Sequence, residues 1–419
     1  MIRWISDNLG TAPHDQMIER HDVTVIDVRD MVDKPGNLPE TARVKIEQGV
    51  AHLERGEKVV VCCDYGISRS NAIAAGILAR HERLPFNDAV QKVMEATGEQ
   101  DIKVDVLAAV REAVGEGRGR AGGEAGDKRI LITGGSGFIG AALARQLGAR
   151  HAVHAPTRKD ADLTGGAVSL DLFAREHNVN RIVHLANPRI YNTNQAMGES
   201  LVLLKNVLDV CCQNQAKLIY VSNWEVYSGY RANHLLAPES LPLLPRGIYG
   251  ETKYLCERLI EQHQRNYGLE YVTLRSGIVY GGASDRPRFI FKFMQQAARN
   301  EEIIAHKYLN GFPCLDLLHV NDLVSALSAI IETDYTGALH VGSGRSISTT
   351  EIAHLIVRMI GSNSEVRHRE IQEHMANILM DYSRATSILG WQPKITLEEG
   401  LRMLLDESTT ATNVRQRSE

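Results

Sequence analysis

"RILITGGSGFIGAALARQL", Arg129 to Leu147, decides how the rest of the chain reads. Its first five residues form a β-branched apolar run that stops at a glycine, the pattern of a short buried strand. Gly134, Gly137 and Gly140 follow at intervals of three, and an alanine- and leucine-rich helical stretch begins immediately after. Bare glycines let a backbone approach a pyrophosphate closely, and the N-terminus of the helix offers N–H groups and the positive end of its dipole to that anion. A glycine trio alone is a weak signal; at the first strand–helix turn of a βαβ unit it is a strong one for a dinucleotide. Phe138 and Ile139, between the second and third glycines, belong to the same cofactor-binding turn.

Strands and helices alternate outward from this turn. "RIVHLA", "KLIYVS" and "YVTLRSGIVY" read as strands, "GAALARQLGA" and "SLVLLKNVLDVCCQ" as helices between them. That rhythm predicts a doubly wound parallel sheet, with a smaller C-terminal lobe from about Gly281. After the second strand comes "HAPTRKDADLTG", with no acid directly behind the strand and Arg158 in the region. An acid would repel a ribose 2′-phosphate and an arginine would bind it, so NADP(H) is expected ahead of NAD(H). Asp162 is a candidate contact on the adenine side. Further on, "IYGETKYLCERL" places Tyr249 and Lys253 four apart on one helix face. A lysine ammonium near a tyrosine hydroxyl favours the phenolate, which makes Tyr249 a usable acid/base for a carbinol–carbonyl interconversion.

These residues resemble the extended short-chain dehydrogenase/reductases, the NAD-dependent epimerase/dehydratase group that acts on nucleotide sugars. The likeness runs from Arg129 to about Leu405 and is carried by "TGGSGFIG", "HLAN", "YVSNWEVYSG", "YGETK", "LRSGIVYG", "LDLLHVNDL", "GALHVGSG" and "ILGWQPKITLEEGL". It implies a Rossmann-type domain, catalytic Tyr249 and Lys253, and cofactor contacts at Leu185, Ala186 and Lys253 as well as at the glycine turn. It leaves room for a homodimer through the helices of this domain. Three departures stand out. The family's catalytic Ser or Thr falls at Asn223, with Ser222 next to it as a substitute. The acid pair of nucleotide-sugar dehydratases is Trp224 and Glu225 here, which argues against water elimination. The arginine that commonly meets the nucleotide diphosphate is Leu315.

A second chemistry is written upstream. "VVVCCDYGISRS", Val59 to Ser70, joins an apolar strand to a helix through a loop that starts at Cys63 and ends at Arg69. A phosphate ester is anionic and resists nucleophiles, so its cleavage needs concentrated positive charge and a strong nucleophile in line. A helix N-terminus supplies the first and lowers a cysteine pKa toward thiolate. Arg69 can grip two phosphoryl oxygens, Gly66 lets the loop turn tightly, and Ser70 can donate to the departing sulfur. The C-x-x-G-x-S-R-S pattern, Cys63 to Ser70, resembles the dual-specificity subgroup of the protein tyrosine phosphatases, over roughly residues 1–113. That resemblance implies Cys63 as nucleophile, Arg69 as phosphate ligand and an upstream aspartate as general acid. Asp30 and Asp33 both fit, with Asp30 preferred. The family's histidine before the nucleophile is Cys62 here.

The fold expectation is therefore α/β throughout: a phosphatase-like domain over 1–114, a glycine-rich linker over 115–127, a Rossmann-type domain with its small substrate lobe over 128–405, and a polar tail over 406–419. The 419 residues suffice for two domains, and a net charge of -4 leaves no basic footprint for nucleic acid. No apolar run reaches the ~20 residues of a membrane span. The opening "MIRWISDNLG" does not read as a secretory leader, and the six cysteines do not read as a disulfide framework, so a cytoplasmic protein is expected. No metal site is expected. One reading is a bifunctional biosynthetic enzyme, an epimerase or ketoreductase acting on a sugar or a nucleotide- or nucleoside-linked sugar, with the phosphatase domain dephosphorylating an intermediate. The other keeps the dehydrogenase-like enzyme and makes the N-terminal domain a non-catalytic phosphate-binding or protein-recognition module.

Overall fold

Val59–Cys63 is buried at every position and forms the central strand of the first sheet. The computed structural model describes residues 1–116, 128–282 and 288–416; the expected linker falls almost wholly on 117–127, outside the described residues. By its internal contacts the chain divides into two units: Met1–Asp127 with Arg158–Asn180 and Lys205–Ala216, and the remainder from Lys128 onward.

In the first unit β1 (Arg3–Trp4), β2 (Leu9–Pro13), β3 (Thr24–Asp27) and β4 (Val59–Cys63) form a sheet in the order β1-β2-β4-β3. β2 and β3 run parallel to β4, while β1 is an antiparallel edge. Helices α1 (Pro39–Glu54), α2 (Arg69–Glu82), α3 (Phe86–Thr97) and α4 (Val104–Ala113) accompany it, and the helix Val168–Glu176 belongs to the same unit. Residues Arg69 to Ala79 of α2 are all buried, because the run of alanines, Gly76 and Ile77 lets neighbouring elements pack closely on every side. A Cβ at Gly76 would stand 2.7 Å from Ile46 and 2.8 Å from Val110, so the α2 backbone passes between α1 and α4 with no room for a side chain. β1 and β2 were not expected from the sequence: "LGTAP" carries glycine and proline and alternates poorly, and only its burial against β4 makes it a strand.

In the second unit β5 (Arg129–Thr133) leads into α5 (Phe138–Leu147), then β6 (Ala152–His154), β7 (Arg181–His184) and β8 (Lys217–Asn223). With strands Tyr271–Ser276 and Gly337–Val341 they form one parallel sheet, ordered Gly337–Val341, Tyr271–Ser276, β8, β7, β5, β6. β6 and β7 flank β5 on opposite sides. The chain therefore changes winding direction between β5 and β7, and a ligand crevice is expected at the carboxyl ends of these strands. Ile130, Ile132, Val183, Ile219, Val272, Leu274 and Leu339 fill the core of this sheet.

Two segment readings change. "YVTLRSGIVY" is two strands, Tyr271–Ser276 and Ile278–Tyr280, which belong to different sheets. The break is at Gly277, where a Cβ would meet the Asp316 carbonyl oxygen at 2.7 Å. The polar segment after Leu405 continues the last helix, Leu397–Gln416. No helix among the described residues is long and apolar enough to cross a membrane.

Candidate functional site

The glycine turn sits at the carboxyl end of β5. Gly134 has φ +71°, and a Cβ there would lie 2.8 Å from the Ala186 nitrogen. A Cβ at Gly140 would lie 2.3 Å from the Gly134 carbonyl oxygen, so the first turn of α5 closes directly onto the loop. Thr133 ties the loop to the end of β7: its hydroxyl is 2.8 Å from His184 Nδ1, and the Leu185 N–H reaches the Thr133 carbonyl at 3.1 Å. Leu185 and Ala186 thus stand beside the glycines. Gly137 opens α5 without a side-chain cap, which leaves the first-turn N–H groups for an anion. The cradle fits a dinucleotide pyrophosphate on these grounds. A Cβ at Gly135 would come 2.5 Å from the Ala155 side chain, so the residue just after β6 and next to the loop is alanine rather than an acid. Arg158 is exposed; Asp162 accepts hydrogen bonds from the Thr164 N–H at 2.9 Å and hydroxyl at 2.8 Å, and the first of these holds its carboxyl below the usual range.

The Tyr249 helix, Ile248–Tyr267, packs against the single turn Trp224–Tyr227 that follows β8. Gly250 permits this, since a Cβ there would stand 2.6 Å from the Glu225 carbonyl oxygen. Lys253 is 8 % exposed and donates to the Val221 carbonyl at 3.0 Å. Its ammonium lies 4.8 Å from the Tyr220 ring centre and 5.6 Å from that of Tyr249. Burial pulls the Lys253 pKa down, while Cys256, Glu257 and Glu225 act in the opposite direction. Burial raises Glu225 above the ordinary carboxyl range, against the pull of Lys253. His184 is held neutral, its pKa lowered to about 3 by burial and then by Lys253. Tyr191 meets Tyr249 with ring centres 4.5 Å apart. The sequence reading passed over Gly250, Tyr191 and His184, although the glycine inside "YGETK" carried a signal.

Asn223 and Ser222 separate cleanly. The Asn223 side chain accepts the Glu225 N–H at 3.1 Å and caps the turn. The Ser222 hydroxyl is buried and donates to Glu257 at 2.6 Å. Adjacent residues of a strand point to opposite faces, so Ser222 does not substitute for Asn223. Its partner Glu257 belongs to a buried chain of contacts: Arg275 Nη2 to Glu257 at 2.7 Å, Arg275 Nη1 to the Tyr227 hydroxyl at 2.8 Å, and that hydroxyl to His340 Nε2 at 3.0 Å. Burial, then Arg275, lowers the His340 pKa to about 3. Trp224 and Leu315 line a small, mainly apolar hollow with Ile278, Ala376 and Ile378.

In the first unit the Gly66 N–H donates to Cys63 Sγ at 3.2 Å, and Ser70 Oγ lies 3.4 Å from the same sulfur. Gly66 has φ +69°, and a Cβ there would stand 2.6 Å from the backbone of Ala12 and Pro13. Burial is the largest single influence on Cys63 and opposes the thiolate. Hydrogen bonds from the Ser70 side chain and from the backbone at Ser70, Tyr65 and Ile67 outweigh it, and the pKa falls below the ordinary value. Cys62 behaves oppositely: burial, then Asp27, pushes it up to about 12. Arg69 is 8 % exposed and donates to the Met31 carbonyl at 2.9 Å and to Asp64 at 2.5 Å. The aspartate at its Nε, 3.0 Å away, is Asp33. The preferred Asp30 instead pairs with Lys45 at 3.2 Å and is half exposed. Among the described residues no group of three or more metal-ligating side chains converges.

Comparison with known proteins bears on the part of the chain that begins at Ile130. The model of the NAD dependent epimerase/dehydratase family matches residues 130–342, about half of the chain. UDP-glucuronic acid decarboxylase 1 of Xenopus tropicalis is 28% identical over 301 residues, 65% of this chain and 70% of that protein. UDP-glucuronic acid decarboxylase 3 of Arabidopsis thaliana is 27% identical over 314 residues, 68% of this chain and 90% of the relative. Among solved structures, UDP-glucose 4-epimerase of Thermus thermophilus in complex with NAD superposes with a TM-score of 0.59 at 22% identity, covering 66% of this chain and 98% of that one. With the glycine cradle and the buried Lys253 beside Tyr249 in the matched span, the chain belongs to the NAD dependent epimerase/dehydratase family.

Proposed function

We propose that the second unit interconverts a carbinol and a carbonyl at a sugar carbon, as an epimerase or ketoreductase whose substrate is carried on a nucleotide or nucleoside phosphate. The observation behind this reading is the buried Lys253 ammonium, fixed on the Val221 carbonyl beside the Tyr249 ring. A dinucleotide on Gly134, Gly137 and Gly140 supplies the hydride acceptor or donor. Lys253 stabilises the Tyr249 phenolate, which takes the proton of the substrate hydroxyl and becomes the neutral phenol as hydride leaves the carbon. Asn223 caps the Trp224–Tyr227 turn and is committed to positioning, with no hydroxyl to relay a proton. Leu315 stands where the family's arginine meets the nucleotide diphosphate and offers that group no charge, so a nucleotide diphosphate would be held by contacts other than the family's arginine. Relatives named for UDP-glucuronic acid and UDP-glucose make those two compounds the first to test.

The absence of an acid after β6 favours NADP(H), and Arg158→Ala should erode that preference by ~1–3 kcal/mol. Equal affinity of the wild type for NAD(H) and NADP(H) refutes the preference. The Cys63–Ser70 loop of the first unit is read as a cysteine phosphatase site acting on a phosphorylated intermediate, supported by the lowered thiol pKa and the buried Arg69. Phosphate release from sugar phosphates, abolished by Cys63→Ser, supports it. Unchanged release in that variant, or none in the wild type, returns the domain to a binding role. For the main reaction, the full chain is incubated with either cofactor and a panel of nucleotide-linked sugars, and products are identified by mass spectrometry. Product formed at wild-type rate by Tyr249→Phe refutes the assignment.

A further inference from the structure

The guanidinium of Arg69 has one edge, formed by Nε–H and Nη2–H, that suits two oxygens of a single anion. In this chain that edge is flanked by the protein's own carboxylates. Asp64 accepts from Nη2 at 2.5 Å, and an Asp33 oxygen lies 3.0 Å from Nε. The Nε–H is nonetheless buried and makes no hydrogen bond, so Asp33 neutralises that corner without satisfying its donor. The remaining nitrogen, Nη1, is anchored on the Met31 carbonyl. The side chain therefore cannot swing its open edge elsewhere without losing a buried contact. Asp64 is 52 % exposed and sits on a loop whose other groups, the Gly66 N–H and Ser70, already face the Cys63 sulfur.

We propose that Asp64 and Asp33 are specificity-determining residues of this loop, holding the bidentate edge of Arg69 so that an oxyanion enters only by exchange for a carboxylate. This rests on the reading of Cys63–Ser70 as an oxyanion cradle. An anion that binds here leaves Asp64 without its hydrogen-bond donor and Asp33 without its ion-pair partner, both beside the anion's own negative charge. A ligand that brings hydroxyl donors with its phosphate replaces the hydrogen bond Asp64 loses and offers one to Asp33, whereas bare phosphate or an aryl phosphate does not. The class the loop selects is thus a phosphate monoester of a polyol.

The test is calorimetric titration of the full chain carrying Cys63→Ser, so that nothing turns over, with inorganic phosphate and with glycerol phosphate. In the parent, glycerol phosphate should bind about tenfold tighter than inorganic phosphate, the weight of one charge-assisted bond. Asp64→Asn should bind inorganic phosphate about tenfold tighter than the parent and lose most of the preference; adding Asp33→Asn should carry both changes further. Asp64→Ser serves if the amide disturbs the loop. Unchanged phosphate affinity in Asp64→Asn and in the double variant, with measurable binding throughout, overturns the proposal and leaves the cradle reading standing. No binding of either probe by any variant overturns both.

Discussion

Replacing Lys253 by methionine removes a buried ammonium while keeping much of the apolar stem. The charge lies 5.6 Å from the centre of the Tyr249 ring. At an effective dielectric constant of ~20, two unit charges at that separation interact by about 3 kcal/mol, roughly a hundredfold in rate if the phenolate forms before or during hydroxyl deprotonation. Lys253→Met should therefore lower turnover about a hundredfold near neutral pH at saturating cofactor, and the deficit should narrow as pH rises and phenolate forms without help. Tyr249→Phe should cost about two to four orders of magnitude at every pH while cofactor still binds. Because the lysine acts through the tyrosine, the double variant should turn over no more slowly than Tyr249→Phe alone once cofactor is saturating. The assay is initial-rate turnover of the identified nucleotide-linked sugar across pH. Strictly additive losses in the double variant, or a Lys253→Met deficit that does not change with pH, would refute the coupling.

Three further outcomes follow from other parts of the molecule. Iodoacetamide should label Cys63 well below the pH at which an ordinary thiol reacts, and Cys62, raised to about 12, should stay unlabelled until the protein unfolds; similar labelling rates for the two would sink the nucleophile assignment. Gly250→Ala places a Cβ 2.6 Å from the Glu225 carbonyl oxygen, so the Tyr249 helix must lift off the Trp224–Tyr227 turn. Turnover should drop sharply at a stability cost of ~1–3 kcal/mol, measured by denaturant titration, and a neutral effect on both contradicts the close approach. His184 and His340 are buried neutral with pKa about 3, against an ordinary value of 6.5. The unfolded chain binds more protons than the folded one between those values, so stability is complete above about 6.5 and falls as pH drops through that window. The slope should be about 1.4 kcal/mol per pH unit for each histidine; a flat denaturant midpoint from pH 7 to about 4.5 would contradict it.

Much of the second unit was legible because its signals are local. The strand–glycine–helix turn, the i, i+4 pair Tyr249–Lys253 and the alternation of elements all survive in the structure. What was not legible depends on which way a side chain points. Ser222 and Asn223 are neighbours in sequence but face opposite sides of β8, and strand alternation alone could have separated them. Asp30 and Asp33 sit in an irregular stretch before α1 with no periodicity to orient them, and only the fold shows Asp33 at the arginine and Asp30 on Lys45. The break at Gly277 was hidden because Ile278–Tyr280 looks like strand; it is strand, but hydrogen-bonded to Cys314–His319 in another sheet. The carboxylates on Arg69 could not be anticipated from spacing, since Asp64 lies inside the motif and Asp33 far outside it.

Tyr249, assisted by Lys253, is proposed to move the proton that accompanies nicotinamide redox chemistry on a bound sugar. Enzyme in excess over substrate, loaded with oxidised cofactor and mixed rapidly with UDP-glucuronic acid, UDP-glucose or the substrate found by mass spectrometry, reads this directly through the absorbance of reduced nicotinamide. The wild type should give a transient that is slowed by two or more orders of magnitude in Tyr249→Phe with cofactor still bound. A transient of equal rate in the two proteins would contradict that role.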